Sequence, residues 1–432
     1  MPDLHPQALT HDLLKGLIEG DAAAIRGTAT LEPAGGPGDK VFPPSHSVDK
    51  NNRRPGAKYA FEKRRIKGVD VDCVLIDSVQ SQANRMEEAL ESLWASKCIS
   101  LPVIAVDFSA CAPDVGVVTS LSAPHRIADA LLRDSLIDGT LFRLSEIGRS
   151  FTDATSKNAT SLFKVCPTGL VFGLWDSTGP RGGLGSKFAR ALVSEIVGIG
   201  ALIGSKTSSR IDPASIVTTA GPVFVAKTLG PDGKPTWTPH VMEAKPLKED
   251  KPPKDEQDVG AVEKWGKAEK AGKPTSINHS NIPPTIDDIA GGVTIDYASH
   301  TVVLSLAALR KLGFGGGEVA ARTVLAALAV LAVLATEGRG HDLRSRCLLV
   351  PRKGEALKFE AVHRDGTTQL LNIDLTSAIA LFNVAVTALP EALRFAKKAG
   401  EPLATLKPSP KLEHLVRKSR ELAGIGAEIE GD

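Results

Sequence analysis

Residues 73–94 read CVLIDSVQSQANRMEEALESLW. The run Cys73-Val74-Leu75-Ile76 is short, apolar and rich in β-branched side chains, which predicts a buried strand. Asp77, Ser78 and Ser81 follow, and each suits a helix start, because a short side-chain oxygen accepts from the unpaired N–H groups of a first turn. Met86, Leu90, Leu93 and Trp94 then recur at i, i+4, i+7 and i+8, one apolar stripe of an amphipathic helix. Gln80, Gln82, Asn84 and Arg85 crowd the first turn, where backbone N–H groups already favour an anion. The expectation is a strand delivering a helix N-terminus dressed for a phosphate. A strand–helix corner with solvated polar residues is the alternative.

Upstream, residues 4–26 predict a helix with Leu9, Leu13, Leu17 and Ile18 on one side, and Thr28 to Leu31 a short strand. Residues 33–58, PAGGPGDKVFPPSHSVDKNNRRPGAK, hold too much Pro and Gly for a regular element. Lys40, His46, Lys50, Arg53, Arg54 and Lys58 make this loop basic, and a long loop in a compact domain usually has a function. Downstream, residues 100–108 predict a strand, and His125-Arg126 open a helix over 127–132. Arg149 lies in SEIGRSF, and Lys157 in the polar run 152–164.

Residues 168–175, TGLVFGLW, read as a strand running into DSTGPRGGLGSK and a helix with Phe188, Leu192, Ile196 and Ile199 in register. A phosphate-cradling P-loop needs Gly-x4-Gly-Lys-Ser/Thr; here the order is Gly-Ser-Lys with no matching glycine before it. A nucleotide hydrolase is thereby rejected. Arg181, Lys187 and Arg190 at a helix start still suit a phosphate.

From 221 to 284 Pro, Lys, Asp and Glu dominate, which predicts an inserted, partly mobile segment or a small ordered subdomain around Trp237 and Trp265. Val293, Ile295 and Tyr297 alternate into a strand over 300–306. LRKLGFGGG (309–317) is a second basic glycine loop, with Arg310 and Lys311, and opens an apolar helix ending near Thr336. Residues 347–351 and 357–362 read as a strand pair turning at Lys353-Gly354, and helices over 376–397 and 411–422 close the chain.

The totals bound the function. Among 432 residues the formal net charge is +2, so a nucleic-acid surface must arise from uneven placement of charge. Aromatics are 4%, too few for an extended stacking platform, which favours contacts to a nucleic-acid backbone. Five cysteines without CxxC spacing argue against a zinc ribbon and a disulfide framework and for a reducing cytoplasm. The N-terminus has no signal pattern, and the apolar run 324–335 is shorter than the ~20 residues a bilayer needs, so a buried helix and no membrane are expected. No paired carboxylates or histidine pair stand at catalytic or metal-ligand spacing, so neither catalysis, metal nor cofactor is expected. The competing reading is an RNA endonuclease using His125 or His46, or a phosphate-ester enzyme using the Gly179–Lys187 loop.

Strands separated by helices, with hairpins late in the chain, argue an α+β fold. Several phrases carry a resemblance further: DSVQSQANRMEEAL (77–90), preceded by GGPGDKVFPPSH (35–46) and YAFEKRR (59–65), then HRIADALLRD (125–134), SEIGRSF (145–151), GLWDSTGPRGGLGSKFARALVSEIVG (173–198) and LRKLGFGG (309–316). Together they resemble the Cascade backbone subunit of type I-G (formerly I-U) CRISPR systems, a seven-type Cas protein of the RAMP superfamily. The resemblance implies an RRM-like (ferredoxin-like) core over 1–220 and 285–432, decorated by the loop at 33–58 and the insertion at 221–284. It implies a non-enzymatic subunit that lines up in several copies along one CRISPR RNA, grips phosphates, and presents the guide for pairing with target DNA beside other Cascade subunits.

Overall fold

The strand Tyr297–Ser305 shows the rule that builds the main sheet: Ala298, His300, Val302 and Leu304 are buried, and the residues between them are not. In this computed structural model, which describes residues 5–46, 58–176, 187–231, 233–266 and 271–423, ten strands join that sheet. They are β1 (Gln7–Ala8), β2 (Ala22–Pro33), β3 (Phe61–Ile66), β4 (Val69–Asp77), β5 (Leu192–Ile199), β6 (Tyr297–Ser305), β7 (His341–Arg344), β8 (Cys347–Pro351), β9 (Lys358–His363) and β10 (Thr368–Asn372). Their order is β1–β10–β9–β2–β6–β5–β4–β3, with β8 on the far end of β2 and β7 on β8. Every pairing is antiparallel except β1 with β10.

Four helices matter here: α1 (His11–Glu19), α2 (Val79–Ala95), α3 (Glu318–Glu337) and α4 (Leu375–Thr387). Met86 and Leu90 of α2, Val324 to Val333 of α3 and Val302 and Leu304 of β6 share one core. α3 is enclosed by α1, α2, α4 and the short helix Pro167–Phe172. This explains its composition: a helix walled on every side carries apolar side chains all round, each fully buried Leu or Val contributing ~1.5–3 kcal/mol. α3 is long and apolar enough to cross a membrane, yet 78% of its apolar window is buried inside the protein.

The chain divides into two compact units, one of residues up to Leu202 and from Val293 on, the other Ile203–Gly292. The second is wider than the 221–284 insertion expected from composition. Its first and last strands, Lys206–Arg210 and Ile282–Asp287, pair antiparallel, and Phe224–Leu229 pairs with Pro235–Thr238. Its small core is Phe224, Val241, Ala244 and Val262, with neither Trp237 nor Trp265 in it. The Asp212 carboxylate accepts the N–H groups of Ala214 (2.9 Å) and Ser280 (2.8 Å), tying early and late segments together.

Mixed helices and several sheets agree with the α+β expectation. Individual elements differ from it. Residues 167–172 are helical, because Pro167 at the first helical position starts the turn and Gly173, at φ +86°, stops it. Residues 192–199 form strand β5, where Leu192, Ser194 and Ile196 point inward and Val193 and Glu195 alternate with them. Lys187 and Arg190 therefore do not sit on a helix start: Lys187 lies in the two-residue strand Lys187–Phe188, which pairs with Leu174–Trp175. β8 and β9 do not pair with each other; both pair with the twelve-residue β2, at Leu31–Pro33 and Ala22–Thr28. Where a single helix was expected over 4–26, the described residues from 5 on form β1, α1 and the start of β2.

Candidate functional site

β4 ends at Asp77, whose carboxylate is fully buried, and Ser78 caps α2 by accepting the Ser81 N–H at 3.2 Å. Asp77 collects four side chains: Ser81 Oγ (2.8 Å), Gln82 Nε2 (2.7 Å), Arg85 Nε (3.0 Å) and Arg344 Nη2 (3.0 Å). Arg85 also donates to the Leu343 carbonyl at 2.7 Å, and Arg344 to the Ile76 carbonyl at 2.9 Å. The positive end of α2 thus already faces an anion, and that anion is internal. This corrects the reading of the first turn as a phosphate cradle: Gln82 is buried and Arg85 half-buried, both turned toward Asp77, whereas Gln80 and Asn84 are exposed.

Gln80 and Asn84 form one wall of a groove of about 500 Å³, lined also by His125, Arg126, Gly173, Trp175, Lys187 and Arg190. The strand pair 174–175/187–188 supplies more of the lining and puts Lys187 Nζ 5.5 Å from the Trp175 ring centroid. Lys187, Arg190 and His125 are exposed, and Trp175 is 60% exposed. Two cations, an open indole and two amides around one groove are the chemistry that holds a single-stranded nucleic acid by phosphate and base face.

Arg126 belongs to the floor. It is buried at φ +55°, bonds Glu87 Oε1 at 2.6 Å and the Gly173 carbonyl at 3.2 Å, and lies over Phe172. Burial pushes the Glu87 carboxyl up to about 7 in spite of the Arg126 charge. At Gly173 a Cβ would meet Arg190 Cγ at 2.7 Å, so both the positive φ and the close approach demand glycine. His125 touches a carboxylate among the described residues only through its backbone N–H, at 3.2 Å from Asp129 Oδ2.

The other expected residues lie elsewhere. Arg310 is a structural clamp, donating to the carbonyls of Leu17 (2.8 Å), Ile18 (2.9 Å) and Gly20 (3.0 Å) at the C-terminus of α1. Lys311 and Lys157 are exposed on loops joined by Gly313, whose N–H donates to Ser156 and whose carbonyl accepts from Ala159. Arg149 is exposed on the short helix Glu146–Thr152. Lys40 stands beside Asp39, and the His46 N–H donates to the Lys58 carbonyl at 2.7 Å, closing the base of the basic loop. Lys50, Arg53, Arg54 and Arg181 lie outside the described residues. Sequence reasoning missed Trp175, taken as the end of a strand, and Arg344, whose role appears only when β7 returns beside Asp77. It also missed the approach of His300 to Glu337 and His341.

Residues 25–202 match the family model of CRISPR-associated protein GSU0053. The match indicates a CRISPR-associated protein family and supports a role in CRISPR defence. It runs from within β2 to just past β5, about two fifths of the 432 residues, and contains every residue of the groove. No curated protein matches the chain.

Proposed function

We propose that the chain binds CRISPR RNA in the groove between α2 and the strand pair 174–175/187–188, as a non-catalytic backbone subunit of a Cascade-type complex in the cytoplasm. The observation that carries this is the convergence of Lys187, Arg190, Trp175, Gln80 and Asn84 inside the CRISPR-associated match. Among the described residues no carboxylate clamps Lys187 or Arg190, which favours phosphate contact over base reading and leaves sequence to Watson–Crick pairing with target DNA.

The connectivity supports the RRM-like reading. Taken in chain order, β2, α2, β5, β6, α3 and β9 are strand–helix–strand–strand–helix–strand, and the strands lie side by side as β9–β2–β6–β5. That is the ferredoxin-like 4-1-3-2 order, with the unit 203–292 inserted between its second and third strands. Against catalysis stands His125, whose imidazole has no oriented carboxylate partner, as a general base needs, among the described residues.

Native mass spectrometry of the protein with single-stranded RNAs of increasing length tests the proposal. Copy number should climb in steps with length while the RNA stays intact in magnesium. One copy at every length, or cleavage abolished by His125→Ala, would favour the endonuclease.

A further inference from the structure

A second cluster, made of residues that do not line the groove, combines chemistry that the fold alone does not explain. α3 ends at Glu337, Gly340 turns the chain at φ +76°, and His341 begins β7 one reversal later. His300 approaches from the buried face of β6. His300 Nδ1 and His341 Nε2 each lie 3.3 Å from the same oxygen, Glu337 Oε1. Both imidazoles are buried, at 2% and 5% side-chain exposure, and at 3.3 Å neither nitrogen makes a well-directed hydrogen bond to that oxygen.

The surrounding hydrogen bonds fix the direction of the His300 lone pair. Asp77, as a carboxylate, only accepts, so Gln82 turns its amide N–H to it (2.7 Å) and its carbonyl to Ser194. Ser194 Oγ therefore spends its proton on Gln82 Oε1, at 2.9 Å. What remains for Ser194 to do at His300 Nε2, also 2.9 Å away, is accept. Nε2 of His300 carries the hydrogen, and in the neutral ring Nδ1 is a bare lone pair aimed at a carboxylate oxygen. Two lone pairs facing each other in a buried site repel unless a metal ion or a proton stands between them.

We propose that His300, Glu337 and His341 bind one divalent transition-metal ion, with zinc as the best fit. Two imidazoles and a carboxylate are a zinc donor set, completed by water as fourth ligand. Bonds of ~2.0–2.1 Å at the tetrahedral angle put neighbouring ligand atoms about 3.3 Å apart, which is the separation on both edges here. All three ligand atoms lie within 4.8 Å of one another. The Ser194–Gln82–Asp77 chain behind His300 is the second shell that metal-bound histidines use to set tautomer and orientation. Glu337, at 17% exposure, gives the ion and its water a route in. The ion would clip the end of the core helix to the sheet's central strand β6 and to β7, which also carries the Asp77 clamp Arg344.

The test uses the full chain, stripped with a chelator, dialysed and titrated with zinc, with metal content read by mass spectrometry. Cobalt(II) serves as the optical probe. Wild-type protein should take up about one ion per chain, show the visible d–d absorption of a tetrahedral cobalt site, and melt higher with zinc than without. Ser194→Ala, which keeps all three ligands, should bind zinc about 10–100-fold more weakly. The doubly substituted His300→Gln/His341→Gln chain should lose the cobalt band. Failure of the wild-type protein to bind zinc would overturn the proposal and leave a proton on Nδ1 as the occupant. An unchanged cobalt band in the double variant would overturn it too, by assigning the ion to cysteines elsewhere.

Discussion

Arg85→Ala separates the two roles open to the first turn of α2. Its guanidinium gives one charged hydrogen bond to Asp77 at 3.0 Å and one to the Leu343 carbonyl at 2.7 Å. Hydrogen bonds to charged groups contribute ~1.5–3 kcal/mol each. Asp77 keeps Arg344, Ser81 and Gln82 after the change, so the larger cost of a stranded buried charge does not arise. The guanidinium is 29% exposed, so water replaces part of what the two bonds supply, and the expected loss is about 2–4 kcal/mol. For a cooperative unit of roughly 340 residues, each kcal/mol moves the melting temperature by about 1.4 °C, so the fall should be about 3–6 °C. Removing Arg344 as well leaves the buried carboxylate with only the neutral donors Ser81 and Gln82, and the double variant should lose about 1–3 kcal/mol beyond the sum of the single ones. The assay is thermal unfolding of the four proteins beside RNA binding by filter retention. The single variant, where folded, should bind RNA as wild type does. A wild-type melt with lost RNA binding would refute this reasoning and return Arg85 to the phosphate contacts.

Three further outcomes follow from named contacts. Because the Glu87 carboxyl rises from 4.5 to about 7 on folding, its stabilising contribution is complete below about pH 4.5 and is lost as pH climbs through 7. Glu87→Gln should therefore remove about 3 kcal/mol of pH dependence across that window, and parallel melting-versus-pH curves for the two proteins would contradict it. Gly173→Ala forces a Cβ to 2.7 Å from Arg190 Cγ at positive φ and should cost about 1–3 kcal/mol while weakening RNA binding, read by melting and anisotropy. Arg310→Met should destabilise by about 2–3 kcal/mol by uncapping α1, with RNA affinity unchanged in the folded fraction.

The strand–helix corner at 73–94 was legible because three local signals agreed there. A β-branched run, a capping serine and a 3.6-residue stripe all specify the same thing, and Met86, Leu90 and Trp94 are buried as the stripe requires. The apolar helix α3 was legible for the same reason. At 167–172 and 192–199 the local signals were ambiguous: an apolar run reads as strand or helix until tertiary packing decides. Phe188, Leu192, Ile196 and Ile199 satisfied a helical spacing by accident of a strand whose far end is buried on both faces. The roles of polar residues were the least legible. Arg85 and Arg126 look like solvated cations in sequence, and only the fold reveals that Asp77 and Glu87 hold them. Trp175 and Lys187 stand twelve positions apart, and a two-residue ladder stacks them. The pair Glu337 and His341 is visible at a four-residue spacing, but His300 joins it from another strand.

The most direct measurement is the salt dependence of single-stranded RNA affinity for the wild type and for Lys187→Ala/Arg190→Ala. Each phosphate neutralised on a single strand contributes about 0.7 to the slope of log affinity against log salt. If the groove grips the backbone, the double variant should lose up to about 1.4 of that slope and bind every RNA sequence more weakly by a similar factor, with its melting temperature unchanged. A slope equal to that of the wild type, at unchanged affinity, would contradict the account and move the RNA off this groove.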